Sequence, residues 1–365
     1  MLQNWLSPIR SKSVLHAATA AHQIGNHISI YKDYLPKLQE GQLAIIGIDA
    51  ITANAIRAAL YQLDHDFGVK IIDLGNVRKK EIEFLIPLLR ELLESQIFPI
   101  IIGDHPSQSI AQYKAFLMLK RAISLVTVDR RIPFHESEED KEDYLNEIIN
   151  SDRSQLFHLG LLGVQSHYGP KSSYNFCEEH NFDIARLGRL RAQITEVEPI
   201  IRDADLLSFH INSIRAADAP GQNNPSPGGL FHEEACQIAR YAGMSDKLRS
   251  FGVFGYTKKK DPEQQTAQSI AQMIWYFING FDNRKGDYPV STEGLVEYIV
   301  EIKKLDYQLT FWKSKKSGRW WMQIPVKTKE SYQRHRLISC SHQDYKMACK
   351  EEFPDRLVNA LKRFI

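Results

Sequence analysis

The 365-residue sequence has no strong excess of charge and few cysteines, and each absence excludes a class of protein. Its 46 basic and 44 acidic residues leave a formal net charge of +2, which does not indicate a nucleic acid or a membrane surface as partner. Its four cysteines include no CxxC pair, so neither a zinc ribbon nor a disulfide framework is expected. We therefore expect reduced thiols in a cytoplasmic protein.

The sequence also has no long uncharged apolar run. A membrane-spanning helix needs about 18 such residues, and the first ten residues, MLQNWLSPIR, have neither the basic nor the apolar region of a secretory signal. We expect no membrane partner. With 43% apolar residues, the chain can still bury a sizeable core.

Short apolar runs alternate with helical patterns over the first 290 residues. The runs are continuous and rich in β-branched residues, which is typical of parallel strands covered on both faces. They cover 43–48, 70–74, 98–102, 123–128, 156–162, 182–187, 206–211 and 251–256. We expect Gly243 and Gly280 to end two of the intervening helices. The pattern predicts a three-layer, doubly wound α/β domain over 1–290, with a mostly parallel eight-stranded sheet.

The pattern changes in residues 291–365, which hold 15 basic and 9 acidic residues. Strands over 295–303, 307–312 and 319–324 predict a small antiparallel meander packed on the core as an extension. Two helices, near 342–352 and 355–364, should follow. The Trp- and Lys-rich hairpin of this extension could pack on the core, anchor another protein or bind nucleic acid. We take packing as the default and do not expect nucleic acid.

Polar residues follow several strands, at the edge where parallel sheets bind ligands. Gly103-Asp104-His105 follows the third strand, and Asp129-Arg130-Arg131-Ile132-Pro133 follows the fourth. Ser208 to Asn212 lies at the end of the seventh, and a loop with Gly228-Gly229 comes later. In this order the segments resemble the ureohydrolase family (arginase, agmatinase and formimidoylglutamase) over about residues 40–285.

The resemblance implies an arginase-like fold and the hydrolysis of C–N bonds in linear amidines. Active members hold two Mn²⁺ ions with six ligands from GGDHS, DAHxD and SxDxD segments, and a bridging hydroxide attacks the amidine carbon. Carried over by position, the first His is His105 and the first Asp of the second segment is Asp129. The next two ligands of that segment have become Arg131 and Pro133. The two Asp of the third segment have become His210 and Asn212.

Charge decides what these substitutions imply. Of four family carboxylates only Asp129 remains, and Arg131 adds a permanent positive charge, so we do not expect a two-manganese site. We expect Arg131 to take the place of one metal and to pair with Asp129 or Asp104. A single ion, Mn²⁺ or Zn²⁺, held by His105, Asp129 and His210 remains open. The alternative is that both histidines bind no metal and are simply hydrogen-bonded within the cleft that the family resemblance implies.

The substrate side has changed as well. The family's substrate-binding Glu corresponds to Gly255, and Lys258-Lys259-Lys260 follows it, so the anchor for a cationic substrate is missing. We expect Asp104, Ser208, Gly228 and Gly229 to border the cleft. The acidic segment 134–147 is interpreted as an exposed helix start rather than as a new cation site.

Two functional hypotheses follow. The first is a catalytically inactive pseudoenzyme that works by binding a protein partner or small ligand, or by assembly, including a possible homo-oligomer. The second is a single-metal hydrolase of an amidine or amide that is not a guanidinium cation. We prefer the first, because the second metal position, the carboxylate balance and the substrate anchor have all changed together.

Overall fold

The computed structural model describes residues 2–135, 143–151, 155–289, 291–302, 307–324 and 337–363. Its central sheet has ten strands: β1 (Leu6–Ser7), β2 (Ser29–Ile30), β3 (Leu43–Gly47), β4 (Ile71–Val77), β5 (Phe98–Ile102), β6 (Ile123–Val128), β7 (Leu156–Val164), β8 (Asp183–Arg186), β9 (Leu206–His210) and β10 (Ser250–Phe254). The helices of this part of the chain are α1 (Lys12–Leu15), α2 (Ala50–Leu60), α3 (Ile82–Glu94), α4 (Ser109–Leu117), α5 (Tyr144–Ser151), α6 (Lys171–Glu179), α7 (Leu187–Ala192), α8 (Glu198–Arg202), α9 (His232–Met244) and α10 (Gln265–Asp282).

The strand order across the sheet is β1-β4-β3-β5-β10-β9-β6-β7-β8, and β2 also pairs with β4. Every pairing is parallel except that of β1 with β4. The eight apolar runs in the sequence are β3 to β10, so the predicted parallel sheet is confirmed. The two additional strands are only two residues long, too short to produce a periodic signal.

Helices cover both faces of the sheet, as the continuous apolar strands require. On one face α2, α9 and α10 bury Ile56, Ile238 and Ile274 in a common core. On the other face α3 and α5 contribute Leu88 and Ile148 to a second core. The predicted three-layer α/β architecture is therefore confirmed.

Gly243 and Gly280 do not end their helices, contrary to the expectation from the sequence. Both α9 and α10 continue past them. A Cβ atom on Gly243 would lie 2.1 Å from the carbonyl oxygen of Phe277, and one on Gly280 would lie 2.3 Å from that of Arg240. The two glycines thus let the backbones of α9 and α10 approach closely, which is a packing role that single-sequence patterns do not separate from helix termination.

The C-terminal extension is an antiparallel sheet in the order β11-β12-β13-β14 with two helices. Its elements are β11 (Leu295–Ile302), β12 (Tyr307–Ser314), β13 (Trp320–Gln323), β14 (Leu337–Cys340), α11 (His342–Cys349) and α12 (Asp355–Arg363). The predicted meander is confirmed, and it has one strand more than expected. The additional strand, β14, is only four residues long, which is too short for a clear sequence pattern. Predicted strand residue 303 and helix residue 364 lie outside the described residues.

The extension contacts the α/β domain at the end of α8. Trp321 is fully buried, and the Arg202 guanidinium lies over its ring, 4.5 Å from the centroid. Arg202, at the end of α8, donates hydrogen bonds to the carbonyl oxygens of Trp320 (3.1 Å) and Cys340 (3.0 Å). The neighbouring Asp203 accepts one from a backbone N–H of β14 at 2.8 Å. These contacts couple the extension to the end of α8.

Two further expectations concern the chain as a whole. All four cysteines are free thiols, and Cys349 alone among them is exposed. In the part of the chain that the structure describes, no helix has the length and apolarity to cross a membrane.

Candidate functional site

The carboxyl ends of four adjacent strands, β5, β10, β9 and β6, bring the predicted site residues to one edge of the sheet. His105 follows β5, Asp129 follows β6, His210 ends β9 and Gly255 follows β10. Parallel strands carry their carboxyl ends to the same edge, which explains why residues distant in sequence converge here.

Asp129 is buried at this edge, and desolvation raises its pKa to about 6. Its carboxylate accepts a hydrogen bond from the backbone N–H of Arg131 at 3.2 Å and one from the Tyr144 hydroxyl at 3.4 Å. The charge of Arg131 and a hydrogen bond from the Asn212 side chain oppose the rise of the pKa. A carboxyl group that is costly to ionise is a weaker metal ligand, since the ligand is the charged form.

Tyr144 lies between two of the candidate metal ligands. It is 2% exposed, and its ring stacks on that of His210 with 4.5 Å between centroids and 21° between planes. Its hydroxyl lies 2.7 Å from that of Thr127 and 3.4 Å from the Asp129 carboxylate. A protein side chain therefore contacts both Asp129 and His210 where the family resemblance implies a metal.

The sequence did not predict this role for the start of α5, which was interpreted as exposed. Half of the acidic segment, residues 136–142, lies outside the described residues. The helix that follows is amphipathic and buries Tyr144, Leu145, Ile148 and Ile149. The spacing of these four apolar residues is the sequence signal for a buried helix face. The acidic residues that precede them indicate an exposed helix instead.

Arg131 forms an ion pair with Asp143, with 2.5 Å between Nη1 and the carboxylate. The two side chains are 20% and 5% exposed. Asp143 was not among the partners expected from the sequence. Asp104, one of those expected, pairs instead with Lys80 at 2.9 Å, and Lys80 also contacts Asp49. Arg131 and Asp143 together form a charge-balanced pair beside Asp129.

His105 begins a short 3₁₀ turn, Pro106–Gln108, and its ring is held within that turn. Its Nδ1 accepts a hydrogen bond from the backbone N–H of Ser107 at 3.2 Å and lies 2.8 Å from the Ser107 hydroxyl. A nitrogen that accepts from an N–H is unprotonated, so the proton of a neutral ring is on Nε2. In this arrangement the Nδ1 lone pair of His105 is engaged in hydrogen bonding within the turn.

His210 is fully buried, and neither of its ring nitrogens has a hydrogen-bond partner among the described residues. Desolvation, together with the charges of Arg131 and His105, lowers its pKa to about 3. The Oδ1 atom of Asn212 is also buried without such a partner. Both residues line a cavity of about 20 Å³ that Gly255 also borders.

Pro133, Ser208 and Gly229, which were also predicted at the site, make contacts that stabilise the fold. Pro133 is buried, offers no side-chain donor, and its carbonyl accepts a hydrogen bond from the N–H of Leu145. The Ser208 hydroxyl donates to Gln112 of α4 at 2.7 Å, within the buried layer between sheet and helix. Gly229 has φ +156°, and a Cβ there would lie 2.5 Å from the backbone nitrogen of Arg215.

Gly228 and Gly255 differ in what they require. A Cβ on Gly228 would lie 2.9 Å from the amide oxygen of Gln165, the end of a long side chain that can shift, so packing does not require glycine there. Gly255 has φ +89°, a conformation that favours glycine, whereas a Cβ would meet only Pro106, at 3.9 Å. The absence of a side chain at Gly255 is thus consistent with its backbone conformation.

These residues do not fit the two-metal arrangement that the family resemblance implies. Within the described ranges, no group of three or more His, Cys, Asp or Glu side chains is placed to hold a metal ion. Arg131 is paired with Asp143, Pro133 has no donor side chain, and Tyr144 contacts both Asp129 and His210.

Comparison with known proteins identifies the family. The arginase family model matches residues 47–279, well over half of the chain. The chain belongs to the arginase family. Among curated relatives, the formimidoylglutamase of Staphylococcus haemolyticus is 22% identical over 224 residues, which are 57% of this chain and 71% of that protein. The Bacillus subtilis formimidoylglutamase is 19% identical, over 62% of this chain and 74% of its own length.

Solved structures of arginase-family proteins share this fold. Formiminoglutamase from Trypanosoma cruzi, solved with Mn²⁺, superposes with a TM-score of 0.63 at 17% identity, covering 72% of this chain and 99% of that one. The B. subtilis formimidoylglutamase structure also gives 0.63 at 17% identity, over 76% and 95% of the two chains. At such low identity these structures establish the fold of the α/β domain.

Proposed function

We propose that this arginase-family protein is a pseudoenzyme, which has no two-manganese hydrolytic centre and works by binding another molecule or by assembly. The observation that carries the proposal is the position of Tyr144, in contact with both Asp129 and His210. The Arg131–Asp143 pair supports it as well, because the family resemblance implies a metal ligand at the position of Arg131.

Size supports the same proposal. The cavity bordered by His210, Asn212 and Gly255 measures about 20 Å³. That is room for about one water molecule, which needs about 10–15 Å³ on this measure. Pockets for small organic ligands are typically about 300–1,000 Å³. The space beside His210 is therefore much smaller than the pockets that typically hold small organic ligands.

Charge supports it independently. Two divalent cations carry four positive charges, and ligands must supply compensating negative charge. Asp129 is the one remaining family carboxylate, and burial raises its pKa to about 6. The nearby Arg131 guanidinium adds positive charge that Asp143 balances. A two-manganese site would leave most of its charge uncompensated in a buried place.

A second candidate is a single-metal hydrolase that uses His105, Asp129 and His210. The unpartnered nitrogens of the buried His210 favour it, because a neutral imidazole is a good ligand for Zn²⁺ or Mn²⁺. The hydrogen bonds at Nδ1 of His105 oppose it. Two open ligands at most would then remain, fewer than the three protein ligands of common catalytic zinc sites. We therefore retain the pseudoenzyme as the conclusion.

The test combines metal analysis with an activity assay. Purified protein should contain less than 0.1 equivalent of Mn or Zn, show no shift of its melting temperature with Mn²⁺ or Zn²⁺, and not hydrolyse formimidoylglutamate. One equivalent of metal that disappears in His105→Ala would overturn the proposal in favour of the single-metal enzyme. Sedimentation of the same sample would show whether the chain assembles with itself.

A variant series tests the structural reason. Arg131→His with Pro133→Asp restores two family ligands, and adding Tyr144→Ala removes the ring between Asp129 and His210. The triple variant should bind Mn²⁺ more tightly than wild type, whereas Tyr144→Ala alone, the matched control, should not. Equal binding by the triple variant and the control would show that the site has been misplaced.

A further inference from the structure

The small cavity at the ends of β9 and β10 is lined by an unusual set of polar atoms. Four of its lining residues carry buried side-chain atoms with no hydrogen-bond partner among the described residues. These atoms are Nε of Arg130, both ring nitrogens of His210, Oδ1 of Asn212 and Oε1 of Gln222. His210 and Gln222 are 0% and 1% exposed, so bulk water does not satisfy them.

Leaving such atoms unpaired is costly. A buried polar atom without a partner destabilises a protein, and the large majority of buried polar groups have one. Several such residues around a single cavity of about 20 Å³ are therefore best explained by one shared partner inside it. The volume admits one occupant the size of a water molecule.

The remaining contacts of these side chains hold them in place. The amide nitrogen of Gln222 donates to the carbonyl oxygens of Ile214 (2.8 Å) and Ala219 (2.6 Å), which leaves its oxygen for another partner. The Arg130 guanidinium lies 4.7 Å from the centroid of the Tyr168 ring. The His210 ring is stacked on Tyr144. The cavity is thus lined by these anchored side chains together with the exposed Asn223 and Asn224.

The pattern of donors and acceptors identifies the chemical class of the occupant. Arg130 Nε donates, the oxygens of Asn212 and Gln222 accept, and a neutral His210 can do both. An occupant must therefore both accept and donate hydrogen bonds. A cation would face the Arg130 guanidinium, whereas an anion would face two amide oxygens. A neutral water molecule can accept from Arg130 Nε and from one His210 N–H, and can donate to the oxygens of Asn212 and Gln222, which is one hydrogen bond for each of the four side chains.

We propose that this cavity is a built-in site for one ordered water molecule, which joins the loop after β6, the end of β9 and the loop that carries Gln222. The inference rests on the proposed function, because it assigns a neutral occupant to a cavity lined by His210 and Asn212, where the family resemblance implies metal ligands. The water supplies hydrogen-bond partners that these buried side chains otherwise lack, and so links the three segments.

The direct test is a crystal structure of the full chain at 1.5 Å or better, with separate soaks in MnCl₂ and NaBr. One peak should lie within about 2.7–3.2 Å of at least three of the four side chains, without anomalous signal from manganese or bromine. A manganese signal would overturn both this inference and the proposed function. A bromide signal or an empty cavity would overturn this inference alone and leave the pseudoenzyme proposal standing.

A solution measurement provides the control. Oxygen-17 relaxation dispersion counts long-lived buried waters, and His210→Phe should lose one relative to wild type, because the larger apolar ring fills the cavity. His105→Phe removes an imidazole from the same cleft that does not line the cavity, and it should lose none. Equal counts in wild type and a folded His210→Phe would contradict the inference. If that variant does not fold, the wild-type crystal structure decides.

Discussion

The ion pair between Arg131 and Asp143 leads to a quantitative prediction. The side chains are 2.5 Å apart and only 20% and 5% exposed, and the pair lies at the start of α5, next to Tyr144. Arg131→Met keeps most of the length of the side chain but leaves the Asp143 carboxylate buried without its guanidinium. Removing one partner of a buried ion pair typically costs about 3–5 kcal/mol. We expect a loss of that order in the free energy of unfolding, measured with urea at pH 7.

A double-mutant cycle separates the pair from its surroundings. Replacing both partners of a buried pair by apolar residues is often nearly neutral, so Arg131→Met with Asp143→Leu should lie within about 1 kcal/mol of wild type. Arg10→Met is the matched control, because its ion pair with Asp33 has side chains 70% and 72% exposed. Exposed pairs contribute at most about 1 kcal/mol, so the control should unfold much like wild type.

Two results would refute the reasoning about this pair. The first is a loss in Arg131→Met no larger than that in Arg10→Met, which would mean that Asp143 is not dependent on the guanidinium. The second is a double variant as unstable as the single one, which would place the cost in packing around Arg131 instead of in the unpaired charge of Asp143.

Three further predictions concern other parts of the fold. Gly280→Ala places a Cβ 2.3 Å from a backbone carbonyl oxygen of α9, so thermal denaturation should show a stability loss of about 1–3 kcal/mol, and an unchanged melting temperature would contradict the close helix contact. Arg202→Met removes two hydrogen bonds to the extension, so limited proteolysis should cleave the extension faster while the strands and helices of the α/β domain stay resistant; equal rates would show that other contacts suffice. Burial alone would raise the pKa of Asp183, but Arg363 and His158 hold it well below its usual range, so its stabilisation is complete above about pH 4 and lost as the pH falls further. Urea unfolding at pH 7 and pH 3 should therefore show a smaller acid loss in Arg363→Met than in wild type, and identical losses would count against this ion pair.

The sequence by itself determined the architecture of the α/β domain. Continuous apolar runs predicted all eight parallel strands, β3 to β10, because a strand buried on both faces needs apolar residues at every position, and that requirement is local. The polar segments at the strand ends placed His105, Asp129 and His210 near one edge, because the strands run parallel. On the family resemblance, the identities of Arg131 and Pro133 also predict that two family ligands are replaced.

Only the tertiary structure decided how the cleft is filled. The contact of Tyr144 with Asp129 and His210, and the pairing of Asp143 with Arg131, depend on where α5 packs after its connecting segment. An acidic segment resembles a solvated surface in sequence, since composition does not report which of its residues turn inward. The roles of Gly243 and Gly280 depend likewise on a neighbouring helix that is far away in the chain. Local patterns determine strands and helices, whereas the use of a buried site depends on side chains that only folding brings together.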